Sequence, residues 1–213
     1  MKTAAERFRG HRILYGYAKG KIAWDPAYAA VASRMKDSQR PLLDIGCGVG
    51  LLAAHLRESG CGQAILGLEP DTAKVALARQ NVAGHYADLE FRVGSAEEIP
   101  VFSGDVVMLD VLHYMEPRVQ QTVLGNVADC LEAGDRALIR TTFRDASWRY
   151  RATMLEEAFV RLSGWIRGGR CIFPTREDVC RPFLARGWNV RVEPMWGSTP
   201  FNSHLIEVRR GPG

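Results

Sequence analysis

The sequence predicts an α/β fold built on a doubly wound, mostly parallel sheet, and three observations carry that prediction. Short apolar runs alternate with longer stretches of helical period through residues 41–143. Two of the runs, VVML and ALI, are almost continuously apolar, as strands covered on both faces must be. Gly104-Asp105 and Gly134-Asp135 punctuate the chain directly before such runs. Regular alternation implies right-handed crossovers and helices on both faces of the sheet.

Each element has its own signal. Residues 1–40 begin as a basic arm, and Asp25-Pro26 then opens a helix, since Asp accepts orphan amide hydrogen bonds and Pro suits the first turn. Tyr28, Val31, Ala32 and Met35 give that helix one buried face. PLLDI reads as a strand, residues 49–59 as a helix, QAILGLE as a strand, DTAKVALARQNVA as a helix and DLEFRV as a strand. GDVVMLD, a helix over 117–132 and the strand DRALIRTTF follow.

Residues 145–168 predict a long amphipathic helix. Trp148, Leu155, Phe159, Leu162 and Ile166 lie on one stripe, widened by Met154, Ala158 and Trp165, and Gly168-Gly169 stops it. PTREDVCRPFLARG reads as a helix that Pro182 kinks or divides. GWNVRVEP and FNSHLIEVRR close the chain as two strands without a crossover helix between them, hence antiparallel.

Composition narrows the setting. The 213 residues, 46% of them hydrophobic, suffice for one domain with a small cap. No run approaches the roughly 18 apolar residues of a membrane span, and MKTAAERFRGHR lacks a secretory apolar segment, so a cytoplasmic location is expected. Cys47, Cys61, Cys130, Cys171 and Cys180 form no C-x-x-C pair and suit a reducing compartment. The net charge of +4 is unevenly spread: residues 1–40 carry +6, residues 41–139 carry −8 and residues 140–191 carry +6.

Ligands of open α/β sheets bind beyond the carboxyl ends of the strands. The loop after the first strand, Asp44-Ile45-Gly46-Cys47-Gly48-Val49-Gly50, is therefore the candidate cradle. A dinucleotide fingerprint would need its third glycine where Leu51 stands, and no Gly-Lys-Ser/Thr follows for a phosphate loop. An acid followed by G-x-G-x-G remains. Here the chain resembles the class I S-adenosylmethionine (SAM)-dependent methyltransferases, through LLDIGCGVG, ILGLEPD, VGSAEEIP, DVVMLDVLHYM and ADCLEAGDRALIRT in order. The resemblance covers residues 40–143 and implies a seven-stranded, Rossmann-like sheet with an antiparallel last strand and a helical cap.

The resemblance implies one domain over 1–213: an N-terminal arm (1–40), a SAM-binding core (41–143), a cap insertion (144–173) and a carboxyl-terminal helix with two strands (174–213). It also implies site residues. Asp44, Gly46, Cys47 and Gly48 would line the methionyl side of SAM, and Glu69 would accept from both ribose hydroxyls. Ser95 stands where many relatives have the Asp that meets the adenine amine, and Ala96 could offer its backbone to the ring. Asp110 and Val111 follow the fourth strand, with Asp110 placed for the methionine ammonium. Cys47 reads as a small loop residue, since nothing near it in sequence lowers a thiol pKa.

Methyl transfer needs alignment above all, and a base only where the acceptor loses a proton. His113 is the first candidate base, followed by Tyr114 and His204, with a packing role for His113 as its rival. No [DN]PPY motif follows the fourth strand, no Pro-Cys occurs, and RTTF replaces the Asp-Asn pair of metal-dependent relatives, so no metal is expected. A small-molecule enzyme remains, with Trp148, Trp165, Tyr15 and Tyr17 as apolar area over the acceptor. The arginines of the cap are either a solvated face or the holders of an anionic acceptor: a carboxylate, or an acyl or aryl group on an acidic carrier protein. STPFNSHLIEVRR and FRGHRILYGYAKGK resemble methyltransferases of bacterial polyketide or aryl-pigment biosynthesis. An RNA methyltransferase using the basic flanks, and a non-catalytic SAM-binding partner protein, are the alternatives.

Overall fold

Leu42–Ile45 (β1) is buried at every residue, which requires cover on both faces of the sheet. Alternation supplies it: Leu42 packs with Met35, Leu56 and Val75 on one side, while Leu43 and Ile45 pack with Val123, Leu124, Val179 and Phe183 on the other. The computed structural model describes residues 3–162, 171–197 and 199–210, apart from the side chains of 156–162 and 210.

The parallel core consists of β1, Ile65–Glu69 (β2), Leu89–Val93 (β3), Asp105–Leu109 (β4) and Arg136–Thr142 (β5). Trp188–Pro194 (β6) and Ser203–Arg210 (β7) complete a seven-stranded sheet of order β3-β2-β1-β4-β5-β7-β6. β7 lies between β5 and β6 and runs antiparallel to both, as the absence of a crossover helix requires. Chain order reverses between β1 and β4, which places the switch-point crevice at the β1–β4 carboxyl edge.

Pro26–Met35 (α2) and Leu51–Glu58 (α3) cover one face; Pro117–Cys130 (α5) and Arg176–Leu184 (α7) cover the other. Thr72–Asn81 (α4) starts on Asp71, whose carboxylate accepts from the amides of Ala73 and Lys74. Thr175 and Asp178 form a capping box at α7. Tyr28, Val31, Ala32 and Met35 are all buried, as their spacing predicts.

The basic arm, to which the sequence reading gives no element before Asp25, holds a 3-10 turn at Ala4–Phe8 and a helix, Arg12–Trp24 (α1). Gly16 and Gly20 weaken that helix, and of its residues only Ala18 is buried, so the sequence carries no strong apolar period. Pro182 does not divide α7, which continues through it to Leu184, with the proline in the last turn. The carbonyl it leaves without an i+4 donor, Asp178 O, accepts instead from Gln121 Nε2 at 3.0 Å.

The long helix is Trp148–Leu162 (α6), and Trp165, Ile166, Gly168 and Gly169 lie outside the described residues. Of its predicted stripe, Trp148 and Leu155 are exposed, while Thr153 is buried and its hydroxyl accepts from the Asn202 amide at 3.0 Å.

Candidate active site

At the end of β1 the chain turns sharply over β2, with Gly46 N and Cys47 N both donating to Leu68 O, at 2.8 and 3.0 Å. The three alternate glycines serve different ends. A Cβ at Gly46 (φ +76°) would stand 2.4 Å from Val111 Cγ2, and one at Gly50 would stand 2.8 Å from Phe91 Cζ. Gly48 has φ +56°, yet a Cβ there would meet nothing within 4 Å. Gly46 and Gly50 are thus explained by packing, and Gly48 borders open space.

Two acids flank that space. Asp44 is 3% exposed, and its Oδ2 has no hydrogen-bond partner among the described residues. Burial, reinforced by the charge of Glu69, pushes its carboxyl up to about 7. Glu69 closes β2; its Oε2 accepts from Gly48 N at 3.0 Å and its Oε1 accepts from Asp71 N at 3.2 Å, with Lys74 Nζ 3.5 Å away. Cys47 is buried, and burial with the two acids drives its thiol pKa far up, so it is no nucleophile.

The β4 end differs. Asp110 has φ +60°, a left-handed conformation that a non-glycine residue adopts only when its surroundings hold it there. Its amide donates to Arg140 O, Arg140 Nε donates to its Oδ1 at 2.9 Å and Arg140 Nη2 meets its Oδ2. Lys21 Nζ lies 3.4 Å from the same Oδ2 and 2.8 Å from Asp25, which in turn pairs with Arg140. Asp25 also caps α2, accepting from Ala27 N at 3.0 Å. Desolvation pulls the Asp110 carboxyl upward, but Arg140 and Lys21 outweigh it and hold the pKa at about 2. Both oxygens of Asp110 are thus engaged.

The other expected residues are scattered along the same edge. Ser95 turns its hydroxyl to its own loop, accepting from Glu97 N at 3.2 Å, and Ala96 is buried against the β4 side. Val111 fills the space over Gly46. His113 is 6% exposed, its ring 5.1 Å from Phe173 and 4.2 Å from Tyr114, while Tyr114 itself is exposed. His204 stacks on Phe143 at 4.8 Å, and its Nδ1 lies 3.0 Å from Asn202 O, which assigns the proton to Nδ1. Burial lowers its pKa, so the ring is neutral at pH 7. Tyr17 is exposed, and Tyr15 donates its hydroxyl to Glu6 at 2.9 Å.

Among the described residues no group of three or more His, Cys, Asp or Glu is placed to hold a metal. Sequence reading missed Arg140 and Lys21 as site residues. Only the Lys21–Asp25 spacing of four, a helical ion-pair signal, points to part of that cluster.

Residues 42–134 match the family model described as a methyltransferase domain. That stretch, from β1 to the turn before β5, carries the pattern of a methyltransferase domain. Among curated protein sequences none matches this chain. Its fold is similar to magnesium protoporphyrin IX methyltransferase (ChlM) from Synechocystis PCC 6803, solved with bound SAH, at 19% identity and TM-score 0.67 over 93% of this chain and 85% of that one. The glycopeptide N-methyltransferase MtfA, complexed with SAM, gives 15% identity and TM-score 0.65 over 87% and 93% of the two chains. The pyocyanin biosynthetic protein PhzM gives 17% and 0.70 over 96% of this chain and 59% of that one. The expected seven-stranded sheet with an antiparallel last strand is the one observed.

Proposed function

We propose that the chain is a class I SAM-dependent methyltransferase that binds SAM across Gly46–Gly48 and transfers its methyl group in line to a small anionic aromatic or acyl acceptor beneath α1 and α6. The observation that carries the cofactor assignment is a buried Asp44 Oδ2 without a donor among the described residues, in the same loop as Gly48, whose open face meets no described atom within 4 Å. A ligand with an ammonium and a sulfonium answers both. Bound there, SAM supplies an electrophilic methyl group on a positively charged sulfur.

Asp44 takes the methionyl ammonium in this reading, because Asp110 is already neutralised by Arg140 and Lys21. Glu69, whose Oε2 is already steadied by Gly48 N, accepts from the ribose hydroxyls. Ala96 offers backbone to adenine, and Ser95 stands at the adenine end with its hydroxyl already in use as an acceptor. On the acceptor side, Tyr17, Tyr114 and Trp148 expose aromatic area. His204, with Nδ1 on Asn202 O, leaves Nε2 to take a proton where the acceptor loses one. His113 and Tyr114 are the remaining bases, with His113 set in an aromatic stack.

Calorimetry with SAM and SAH tests the cofactor reading. Asp44→Asn and Glu69→Gln should each weaken binding by about tenfold or more, since each removes a charge-assisted hydrogen bond. Binding of a nicotinamide dinucleotide in place of SAM would overturn it. Methyl label recovered in RNA, with binding that falls steeply with salt, would replace the small-molecule acceptor by a nucleic acid.

A further inference from the structure

Arg149, in the first turn of α6, is held in an unusual way. Its Cζ lies 4.7 Å from the Trp148 ring centroid and 4.1 Å from that of Trp196, so two indoles grip the guanidinium. Nη1 donates to Thr199 O at 2.7 Å. The group is thereby fixed by two separate elements, the start of α6 and the β6–β7 connection.

Two features of this cluster are incomplete. Arg149 has no carboxylate partner among the described residues, whereas Arg34, Arg40, Arg140 and Arg186 each have one. The Trp196 Nε1 donor is buried and has no acceptor among the described residues. A positive charge without a counter-ion and a buried N–H without an acceptor, in one cluster, call for the same kind of partner: an oxyanion. The cluster also stands at the right edge. Trp196 packs edge-on to His204, with centroids 5.9 Å apart, and His204 pairs in register with Thr141 near the end of β5.

We propose that Arg149, assisted by Trp196 Nε1, is the specificity-determining subsite that holds a carboxylate of the methyl acceptor. The guanidinium needs no reorganisation, because stacking and the Thr199 contact already hold it, and its remaining N–H groups can meet two oxygens in one plane. Exposed Trp148 then offers an apolar face to the body of the acceptor. This assignment rests on the methyltransferase reading of the edge for what is bound there.

The test uses the full chain saturated with SAH. 4-Hydroxybenzoate and octanoate are titrated by calorimetry against their methyl esters. The wild type should bind at least one carboxylate about tenfold more tightly than its ester, the scale of a charge-assisted hydrogen bond. Arg149→Gln should erase that preference while SAH affinity stays unchanged, and Arg149→Lys should restore part of it. Trp196→Phe keeps a ring over Arg149 and removes only the N–H, so it should lower carboxylate affinity by a smaller factor. Absence of any carboxylate preference in the wild type, or its persistence in Arg149→Gln with SAH bound normally, overturns the subsite. Failure of the wild type to bind SAH overturns the cofactor reading instead.

Discussion

At the β1–β2 end of the carboxyl edge, the cleft is lined by backbone and by two acids from consecutive strands, and one acid oxygen has no donor among the described residues. At the β4–β5 end, four side chains from α1, the start of α2, the β4 terminus and β5 close on one another: Lys21, Asp25, Asp110 and Arg140. The first region is electrostatically incomplete and its Asp44 carboxyl is pushed up to about 7; the second is self-neutral and its Asp110 carboxyl is held at about 2. Two aspartates at neighbouring strand ends thus have opposite fates. A carboxylate with no counter-charge is available to a cationic ligand, whereas one inside a closed ion network fixes the chain.

The largest effect expected from this contrast is on stability, at Arg140. Its side chain is 6% exposed and it bridges Asp25 and Asp110. Arg140→Ala leaves two carboxylates facing each other with Lys21 alone, and the loss should be about 3 kcal/mol, at the lower end for a broken buried pair because Asp110 is a third exposed. Thermal unfolding should fall by about 6–12 °C for a domain of this size. An unchanged melting temperature would mean that the network does not hold α1 and α2 to the sheet.

A smaller stability effect, with a larger functional one, belongs to the other end. Gly46→Ala places a Cβ 2.4 Å from Val111 Cγ2 at φ +76°. The backbone strain costs about 1–2 kcal/mol, and displaced Val111 enters the crevice. SAH affinity should drop by more than the loss of stability explains. Restoration by Val111→Ala would show that the displaced methyl, and not the strained loop, is responsible.

The same contrast explains what could be read from the sequence. The β1–β2 end lies within one stretch of chain, so its glycine spacing, Asp44 and Glu69 were visible as a motif, and the regular alternation gave the seven strands. Lys21 and Asp25 are a local pair, but they meet Arg140 and Asp110 only because α1 and the start of α2 fold over β4 and β5, and no local pattern encodes that. Asp25 was legible in one role, as a helix cap, while its pairing with Arg140 was not. The cap stripe misled at Trp148 and Leu155 because amphipathic period says that a helix has an apolar side and not what that side faces; both are exposed. Arg149 was one arginine among many until Trp196, distant in sequence, was placed against it.

The subtlest measurement is the proton count at Asp44. Its carboxyl titrates near 7 in the folded chain against 3.8 ordinarily, so the folded state holds a proton that the unfolded state has lost between those values. The stability this provides is complete below about pH 4 and disappears as pH rises through 7. A cationic ligand prefers the ionised form, so its affinity follows the opposite course. SAM binding should strengthen by nearly tenfold per pH unit between pH 5 and 6.5 and level off above 7.5, with about one proton released at pH 6. Calorimetry in buffers of different ionisation enthalpy counts that proton directly. Asp44→Asn should bind weakly with no such slope. Because the charge of Glu69 adds to the burial effect on Asp44, Glu69→Gln should move the midpoint to lower pH without removing it. A flat wild-type profile across this range would place Asp44 away from the ligand and return the ammonium to Asp110.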